Sequence, residues 1–331
     1  MNTSSGQTNF VFILGIMPRT GTHYLMNLLC LHPDCLQSVI PEDGLITTSN
    51  VLMQYVARNI RQWQLTGDFP EIEADKLLIE GLGEGLLNFL RRAGSKMKEV
   101  PEAEPGDRAK YLVTKTPNVN NSKNFFKLFP NEKLLILIRD GRDVVESNYL
   151  SFKYSREEAI REWAKAAQSI SGIQEKWSKQ GREFLLVKYE ELYQNTEFEM
   201  KKILSFLELE VLKYDFDKAL NIPVIGSSVF RRNGEVSWQP VEKTVEFNPL
   251  SRSAGWSRWQ HERFNWLASN ELKLFGYEPV AFKSSNFFMV LKNYLYDVAY
   301  AISIGGKKIR KYTLFIWRRL KLKLKSNEPV T

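Results

Sequence analysis

The chain has 331 residues, of which 43% are apolar and 25% charged, a composition typical of a globular protein with a large core. Its net charge of +8 comes from residues 306–331, where nine basic residues face one acidic residue, so residues 1–305 sum to zero. A neutral body argues against a nucleic-acid partner. The sequence has two cysteines, Cys30 and Cys35, and their spacing fits neither a zinc site nor a disulfide framework.

Short apolar runs alternate with segments of helical periodicity along most of the chain. Strands are predicted at Phe10–Ile16, Tyr111–Thr114, Lys133–Ile138 and Phe184–Val187. Helices are predicted at Thr22–Leu31, Val51–Thr66, Asp75–Met97, Val119–Phe129, Arg142–Phe152, Arg156–Gln180, Thr196–Leu207 and Gly255–Phe275. This alternation predicts an α/β fold, a P-loop-like parallel β-sheet with helices on both faces. We expect residues 1–282 to form that domain and residues 283–331 to form a C-terminal helical extension.

Two of the predicted strands run into turns that contain glycine and arginine. The first turn, Pro18–His23, reads Pro-Arg-Thr-Gly-Thr-His, and the second begins with Arg139 in Arg-Asp-Gly-Arg-Asp. The N-terminus of a helix that follows such a turn attracts anions, because its free N–H groups and its dipole point at the same place. Arginine adds a planar fork that matches tetrahedral oxyanions, and Thr20 and Thr22 add hydroxyl groups. The sequence therefore predicts a ligand with two separated phosphate-like groups.

The first turn does not have the Walker A pattern. Five residues separate Gly15 from Gly21, and Thr22 stands where that pattern has lysine. The turn instead resembles the 5′-phosphosulfate loop of the sulfotransferases that use 3′-phosphoadenosine 5′-phosphosulfate (PAPS). Arg139, followed eight residues later by Ser147, is similar to their 3′-phosphate motif.

Further segments resemble the same family, and in particular its tyrosylprotein branch. Lys115 lies in Lys-Thr-Pro, Tyr189 lies in Tyr-Glu-Glu-Leu, and His32-Pro33-Asp34 is followed by Glu42. The resemblance extends from Phe10 to about Tyr277 and implies a sulfotransferase-like fold. It also implies that PAPS is the co-substrate and that no metal is needed. The residues that it implies for nucleotide binding are Arg19, Thr20, Gly21, Thr22, Arg139, Ser147, Tyr189, Ser251 and Arg252. His23 departs from the family, which usually has threonine or serine there, and we add it as a further candidate donor to the sulfate.

Sulfuryl transfer requires cations around the moving group and a base for the acceptor hydroxyl. Arg19 and Lys115 are the candidate cations, and Lys115 would stabilise the departing phosphate oxygen. Glu42 is the favoured base, with Asp43 and His23 as alternatives. The predicted catalytic set is therefore Glu42, Lys115, Arg19 and His23.

The acceptor is left open among carbohydrate, lipid or glycolipid, phenol, peptide tyrosine and other small molecules. Ser227–Arg232 and Trp238 are candidates for lining its pocket. Two other functions remain open at this point. One is a P-loop kinase that acts on a nucleotide or small molecule, and the other is a non-catalytic module that binds a membrane surface.

Beyond residue 283 the sequence is amphipathic and then strongly basic. Phe287–Ile304 is too charged to span a membrane, and Lys307–Lys325 mixes basic with large apolar residues. The second segment suits an anionic membrane surface, and the alternative is a terminal helix packed on the domain. The apolar run at Phe10–Ile16 is too short for a membrane anchor. We therefore expect a cytoplasmic protein. If the basic segment binds a membrane, we expect the protein to be attached peripherally to the inner face of that membrane.

Overall fold

The computed structural model describes residues 8–40, 42–67, 71–97, 110–225, 240–241, 249–282 and 287–325. The predicted acceptor-pocket residues Ser227–Arg232 and Trp238 lie outside these ranges. The chain divides into two compact units, the first comprising residues up to 257 with 267–278, the second 258–266 with 279 onward. The domain boundary at residue 282 stays a prediction.

A five-stranded parallel sheet forms the centre of the first unit. Its strands are β1 (Asn9–Gly15), β2 (Cys35–Gln37), β3 (Tyr111–Thr116), β4 (Lys133–Ile138) and β5 (Leu185–Lys188), in the order β2-β3-β1-β4-β5. Every residue of β1 after the first is buried, and so is every residue of β4 after the first. Consecutive strand residues face opposite sides of the sheet, so both faces are covered. The predicted α/β fold with a parallel sheet is confirmed.

Helices fill the connections between the strands and continue beyond the sheet. They are α1 (Thr22–Leu29), α2 (Leu45–Thr66), α3 (Glu71–Met97), α4 (Phe125–Leu128), α5 (Gly141–Phe152), α6 (Arg156–Lys179), α7 (Tyr189–Gln194), α8 (Thr196–Phe206), α9 (Phe216–Asn221), α10 (Arg258–Leu274) and α11 (Phe287–Lys325). Short 3₁₀ turns lie at Ser122–Asn124, Val211–Lys213 and Pro249–Ser251, and two-residue strands β6 (Val224–Ile225) and β7 (Pro240–Val241) pair antiparallel.

One predicted helix is wrong as a continuous element. The segment Val119–Phe129 is divided into a 3₁₀ turn and the single-turn α4. Asn121, in the middle of the segment, has a φ of +61°, and a left-handed residue cannot continue a right-handed helix. The tethering of Asn121 explains that conformation, since its side-chain amide donates to the carbonyl of Thr47 on α2 at 2.5 Å.

The register of the sheet brings four loops to one edge. Leu14 of β1 is level with Thr116 of β3, Gly15 with Leu137 of β4, and Ile138 with Lys188 of β5. The carboxyl ends of these four strands therefore lie side by side, which is where ligands bind in open α/β sheets. The two arginine-bearing turns, Lys115 and Tyr189 all belong to this edge.

The second unit consists of the first half of α10 and the helix α11. Non-helical backbone at Ala268, with φ −148°, interrupts α10. Within the unit, Arg263 donates to Asn293 Oδ1 at 3.0 Å and to Asp297 Oδ1 at 2.5 Å, and Trp266 Nε1 donates to Asp297 Oδ2 at 2.9 Å. Of the helices in the described part of the chain, none combines the length and the apolar character needed to cross a membrane.

Candidate active site

The loop between β1 and α1 is built on two residues of positive φ. Arg19 has a φ of +75° and Gly21 a φ of +107°. Positive φ at a residue other than glycine is strained, and such strain concentrates at functional sites. The Thr20 hydroxyl donates to the Met17 carbonyl at 2.5 Å, which stabilises the turn. Gly21 leaves α1 without a side-chain cap, so the N–H groups of its first turn, which begins at the buried Thr22, can bind an anion.

The sequence predicts that free N–H groups at the N-terminus of the helix after β4 bind an anion. For α5 this prediction is wrong. Asp140 caps α5 by accepting from the N–H of Arg142 at 2.9 Å, and the Arg142 guanidinium donates to both Asp140 oxygens. An aspartate at this place repels anions from the helix N-terminus. The cationic group that remains in this loop is Arg139, at the end of β4.

The two loops meet through their arginines. Arg139 Nη1 donates to the carbonyl of Arg19 at 2.9 Å, and Arg19 Nε donates to the Ser147 hydroxyl at 3.2 Å. Asn148 Nδ2 donates to the Pro18 carbonyl at 2.8 Å. One turn of α5 therefore holds the first loop in place. The arginines that the sequence assigned to two separate anion sites lie in a single site.

Electrostatics in this site strongly favour an anion. Burial, with the positive charges of Arg139 and Arg252, lowers the pKa of Arg19 to about 10. Burial and the charge of Arg139 also lower the pKa of Arg252. Positive charges of three arginines thus act on one another in a partly desolvated region, where repulsion is stronger than in water. A bound anion would relieve this repulsion.

Arg139 itself is buried and incompletely satisfied. Its Nη2 donates to the Pro249 carbonyl, while its Nε has no hydrogen-bond partner among the described residues. Buried N–H groups of charged side chains are costly when unpaired, so an orphaned one marks a place for a ligand. The guanidinium carbon lies 4.6 Å from the ring centroid of Tyr189, in cation–π contact.

Tyr189 connects the arginine site to the first loop. It begins α7 directly after β5, its side chain is buried, and burial raises its pKa. A Cβ placed on Gly21 would lie 2.5 Å from ring carbons Cδ2 and Cε2 of Tyr189. Only glycine therefore lets the ring approach the loop this closely.

Residues 249–256 are attached to α5 by hydrogen bonds that were not predicted from the sequence. Asp143 accepts from both the N–H and the hydroxyl of Ser253, at 2.9 and 2.8 Å. Glu146 accepts from the indole of Trp256 at 2.7 Å. These contacts hold Arg252 beside Arg139, whereas Ser251 is exposed. The partners are 110 residues apart, and only the acidic residues of α5 hinted at them.

A second cluster combines the residues predicted to carry out the chemistry. Lys115, fully buried at the end of β3, donates to Glu42 Oε1 at 2.7 Å, and the Glu42 side chain is 52% exposed. His23, on the first turn of α1, is close enough for Lys115 to lower its pKa and for Glu42 to raise it, with burial the largest effect and downward. The cluster thus contains a buried cation, a solvent-accessible carboxylate and a neutral imidazole at neutral pH.

Asp43 has a structural role in this geometry. Its Oδ2 accepts from the hydroxyls of Thr114 and Thr116 at 2.7 and 3.3 Å, and its Oδ1 accepts from the N–H of Leu45 at 2.8 Å. Burial raises the pKa of Asp43, and these hydrogen bonds oppose the rise. Both oxygens are therefore occupied in fastening the start of α2 to β3, which positions the adjacent Glu42.

Other features of the first unit lie away from these clusters. A cleft of about 690 Å³ runs between α2 and α3, and Arg61, Lys123, Lys127 and Lys176 contribute to its wall. None of the site residues predicted from the sequence lines it. Within the described ranges, no group of three or more histidine, cysteine or acidic side chains is arranged to hold a metal ion.

Solved structures of sulfotransferases superpose on the chain with low scores. A sulfotransferase domain from the curacin biosynthetic pathway gives a TM-score of 0.44 at 15% identity, covering 83% of this chain and all of that domain. Mouse sulfotransferase SULT7A1 complexed with PAP gives a TM-score of 0.40 at 13% identity, covering 88% of this chain and 90% of that chain. Similarity at this level carries no functional argument.

Curated relatives are protein-tyrosine sulfotransferases of two animals. Protein-tyrosine sulfotransferase A of Caenorhabditis elegans is 30% identical over 262 residues, which is 74% of this chain and 61% of that protein. The Drosophila melanogaster protein-tyrosine sulfotransferase is 27% identical over 293 residues, 82% of this chain and 52% of that protein. The chain therefore spans between about half and three fifths of the length of these relatives.

The family profile described as "Sulfotransferase family" matches residues 11–213. The match covers more than half of the chain and includes Arg19, Glu42, Lys115, Arg139 and Tyr189. The resemblance that the motifs indicated, including its tyrosylprotein branch, is confirmed by the profile and by the curated relatives. The chain belongs to the sulfotransferase family.

Proposed function

We propose that this protein transfers the sulfuryl group of PAPS to a hydroxyl group of an acceptor. The observation that carries the proposal is the partly buried arginine cluster of Arg19, Arg139 and Arg252, in which Arg139 Nε has no hydrogen-bond partner within the described part of the chain. An adenosine bearing a 3′-phosphate and a 5′-phosphosulfate supplies the negative charge that such a cluster requires. Membership of the sulfotransferase family supports this donor class over other phosphorylated nucleotides.

The proposed reaction is an in-line transfer in which the acceptor oxygen bonds to sulfur as the bond from sulfur to the bridging phosphate oxygen breaks. Arg19 and Lys115 stabilise the negative charge on the moving group and on the departing 3′-phosphoadenosine 5′-phosphate (PAP). Glu42 takes the proton of the acceptor hydroxyl. The cations and the carboxylate thus act on opposite sides of the transferred group.

The ion pair of Lys115 and Glu42 supports this division of roles. A buried ammonium needs a negative partner, and Glu42 supplies it at 2.7 Å. The donor's anionic oxygens compete for the same ammonium. When they bind Lys115, the Glu42 carboxylate is released from the ion pair and can accept the proton of the acceptor hydroxyl. His23 remains the alternative base, because a neutral imidazole in this cluster can also accept a proton.

We propose a tyrosine phenol as the first acceptor to test, because the curated relatives are named as protein-tyrosine sulfotransferases. Carbohydrate and lipid hydroxyls, which the sequence left open, complete the panel. Neither the family profile nor the relatives support a kinase or a non-catalytic module.

Calorimetric titration with PAP, without added metal, tests the donor site. Removing a buried partner of a charged hydrogen bond costs about 2–5 kcal/mol, so Arg139→Ala should weaken binding by at least about thirtyfold. Arg182→Ala is the matched control, since it removes the same charge at the opposite edge of the sheet, where Arg182 donates to the Pro130 carbonyl. Equal affinity in the two variants, or a preference for ATP with Mg²⁺, would refute the proposal.

Turnover with labelled donor tests the reaction and the acceptor separately. A tyrosine peptide, a monosaccharide and a glycolipid are offered in parallel to the full chain. Transfer to any of them supports the reaction, and the acceptor that is labelled fastest identifies the class. If the protein binds PAP but transfers to none of these hydroxyls, the proposed donor site stands and the proposed acceptor is refuted.

A further inference from the structure

Helix α11 has an exposed apolar stripe along one side. Its members are spaced four, three, four and four residues apart, which places them on one face of a helix. Their exposed fractions are large for such side chains: Phe287 72%, Leu291 43%, Tyr294 57%, Val298 57% and Ile302 70%. An apolar stripe of this length on a surface marks an interaction site.

The opposite side of the same helix is occupied. Asn293 is 4% exposed and accepts from Arg263, and Asp297 accepts from both Arg263 and Trp266. These contacts, all within the second unit, determine how α11 is rotated about its axis. Phe287, Leu291, Val298 and Ile302 of the stripe therefore face away from the segment on which the helix packs, and Tyr294 lies at its border, with its ring centroid 5.0 Å from that of Trp266.

The remainder of α11 carries a concentrated positive charge. The helix continues to Lys325, and between residues 307 and 325 the sequence has nine basic residues and no acidic one. The spacing of the apolar stripe also continues in the sequence, at Ile309, Tyr312, Ile316 and Leu320. An amphipathic helix that combines a continuous apolar stripe with many lysines and arginines is typical of helices that lie in a membrane interface.

We propose that α11 binds the surface of an anionic lipid bilayer, with the stripe inserted among the headgroups and acyl chains and the basic residues near lipid phosphates and carboxylates. Charge decides between this partner and a second copy of the chain. Two copies of α11 would bring together nine positive charges each, whereas anionic headgroups are complementary to them. The proposal does not depend on the proposed sulfuryl transfer, since neither donor nor acceptor takes part.

Vesicle co-sedimentation of the full chain tests this surface. Vesicles of phosphatidylcholine alone are compared with vesicles that also contain phosphatidylserine. The test variant is Val298→Asp with Ile302→Asp, on the stripe. The matched control is Ala299→Asp with Ser303→Asp, which places the same two charges at exposed neighbouring positions off the stripe. Thermal unfolding of all three proteins verifies that each is folded.

The unsubstituted chain should bind the phosphatidylserine vesicles, and salt should weaken the binding. The stripe variant should bind about tenfold or more weakly, because two apolar side chains no longer enter the interface. The control should stay close to the unsubstituted chain. Equal binding to neutral vesicles, or equal loss in both variants, would overturn the proposal. A dimer in light scattering that only the stripe variant loses, without vesicle binding, would assign the surface to a second copy.

Discussion

Substituting Gly21 by alanine should damage the candidate site through one identifiable collision. The new Cβ would lie 2.5 Å from two carbon atoms of the Tyr189 ring. That ring is buried between Arg139, 4.6 Å from its centroid, and Tyr193, which stacks at 6.1 Å, so it has little room to move. The φ of +107° at Gly21 adds backbone strain for any residue with a Cβ.

The two effects can be estimated separately. Holding a non-glycine residue at this φ costs about 1–3 kcal/mol, and overpacking a filled region costs about 1–3 kcal/mol. Gly21→Ala should therefore lower the free energy of unfolding by roughly 2–6 kcal/mol, measured by urea denaturation with an unchanged m-value. Gly181→Ala is the control, because Gly181 has a φ of +62° and no atom of the described residues lies within 4 Å of a new Cβ. It should lose only about 1 kcal/mol, since reduced unfolded-state entropy offsets part of its strain.

Equal losses in the two variants would show that the contact with Tyr189 is not as described and would refute this reasoning. A double-mutant cycle gives a second check. Replacing Tyr189 by leucine removes the ring atoms that collide, so Gly21→Ala should cost less in that background. PAP affinity should fall together with stability in the single variant, because the loop that carries Arg19 is displaced.

Three further predictions concern other parts of the first unit. Gly83→Ala should destabilise the fold by several kcal/mol, since its Cβ would lie 1.8 Å from a backbone oxygen of α4. Gly85→Ala, on the same helix, meets no atom of the described residues within 4 Å and should stabilise the fold by about 0.5–1 kcal/mol. Urea denaturation shows whether the free energy of unfolding falls in the first variant and rises in the second. Glu42→Gln should lower turnover by about 10²–10⁴, and it should also lower stability because the buried Lys115 loses its charged partner. Asp43→Asn should lower the free energy of unfolding by about 1–3 kcal/mol, and initial rates and denaturation check each variant. Folding lowers the pKa of His23 below 6.5, so the stabilising contribution of its neutral form should be complete above that pH and decline as the pH falls through it. Thermal unfolding of His23→Gln should show a smaller decline. An identical pH dependence in both proteins would contradict the burial of His23.

The sheet could be predicted from the sequence because its strands are short continuous apolar runs. The predicted Lys133–Ile138 has the bounds of β4, and Phe10–Ile16 is within one residue of β1 at each end. Elements without periodicity were not predicted. The three-residue β2 is held by pairing with β3, and α7 by packing after β5, and neither leaves a local pattern. Continuous apolar runs thus reveal strands that are buried along their length.

The members of the site could be named from motifs, but their contacts could not. The arginines were expected to bind two separated groups of one ligand, but sequence spacing says nothing about the distance between their two loops. Contacts such as that of Arg139 with the Arg19 carbonyl, 120 residues away, depend on the register of the sheet. Glu42 was favoured over Asp43 as the base, but the sequence offers no contact that separates two adjacent carboxylates. Only the hydrogen bonds of Asp43 with Thr114 and Thr116 distinguish them.

Positioning and electrostatics in this site have the same physical origin. Gathering three arginines costs stability, as the lowered pKa values of Arg19 and Arg252 indicate, and hydrogen bonds from α5 to the first loop and to residues 249–256 offset that cost. An anion that binds among the guanidinium groups removes the repulsion, so part of its binding energy comes from relief of a strain already present. Binding of this kind stabilises the folded state in proportion to the logarithm of ligand concentration over the dissociation constant. The arginine cluster therefore links donor affinity to stability, and a substitution that separates the two loops weakens both.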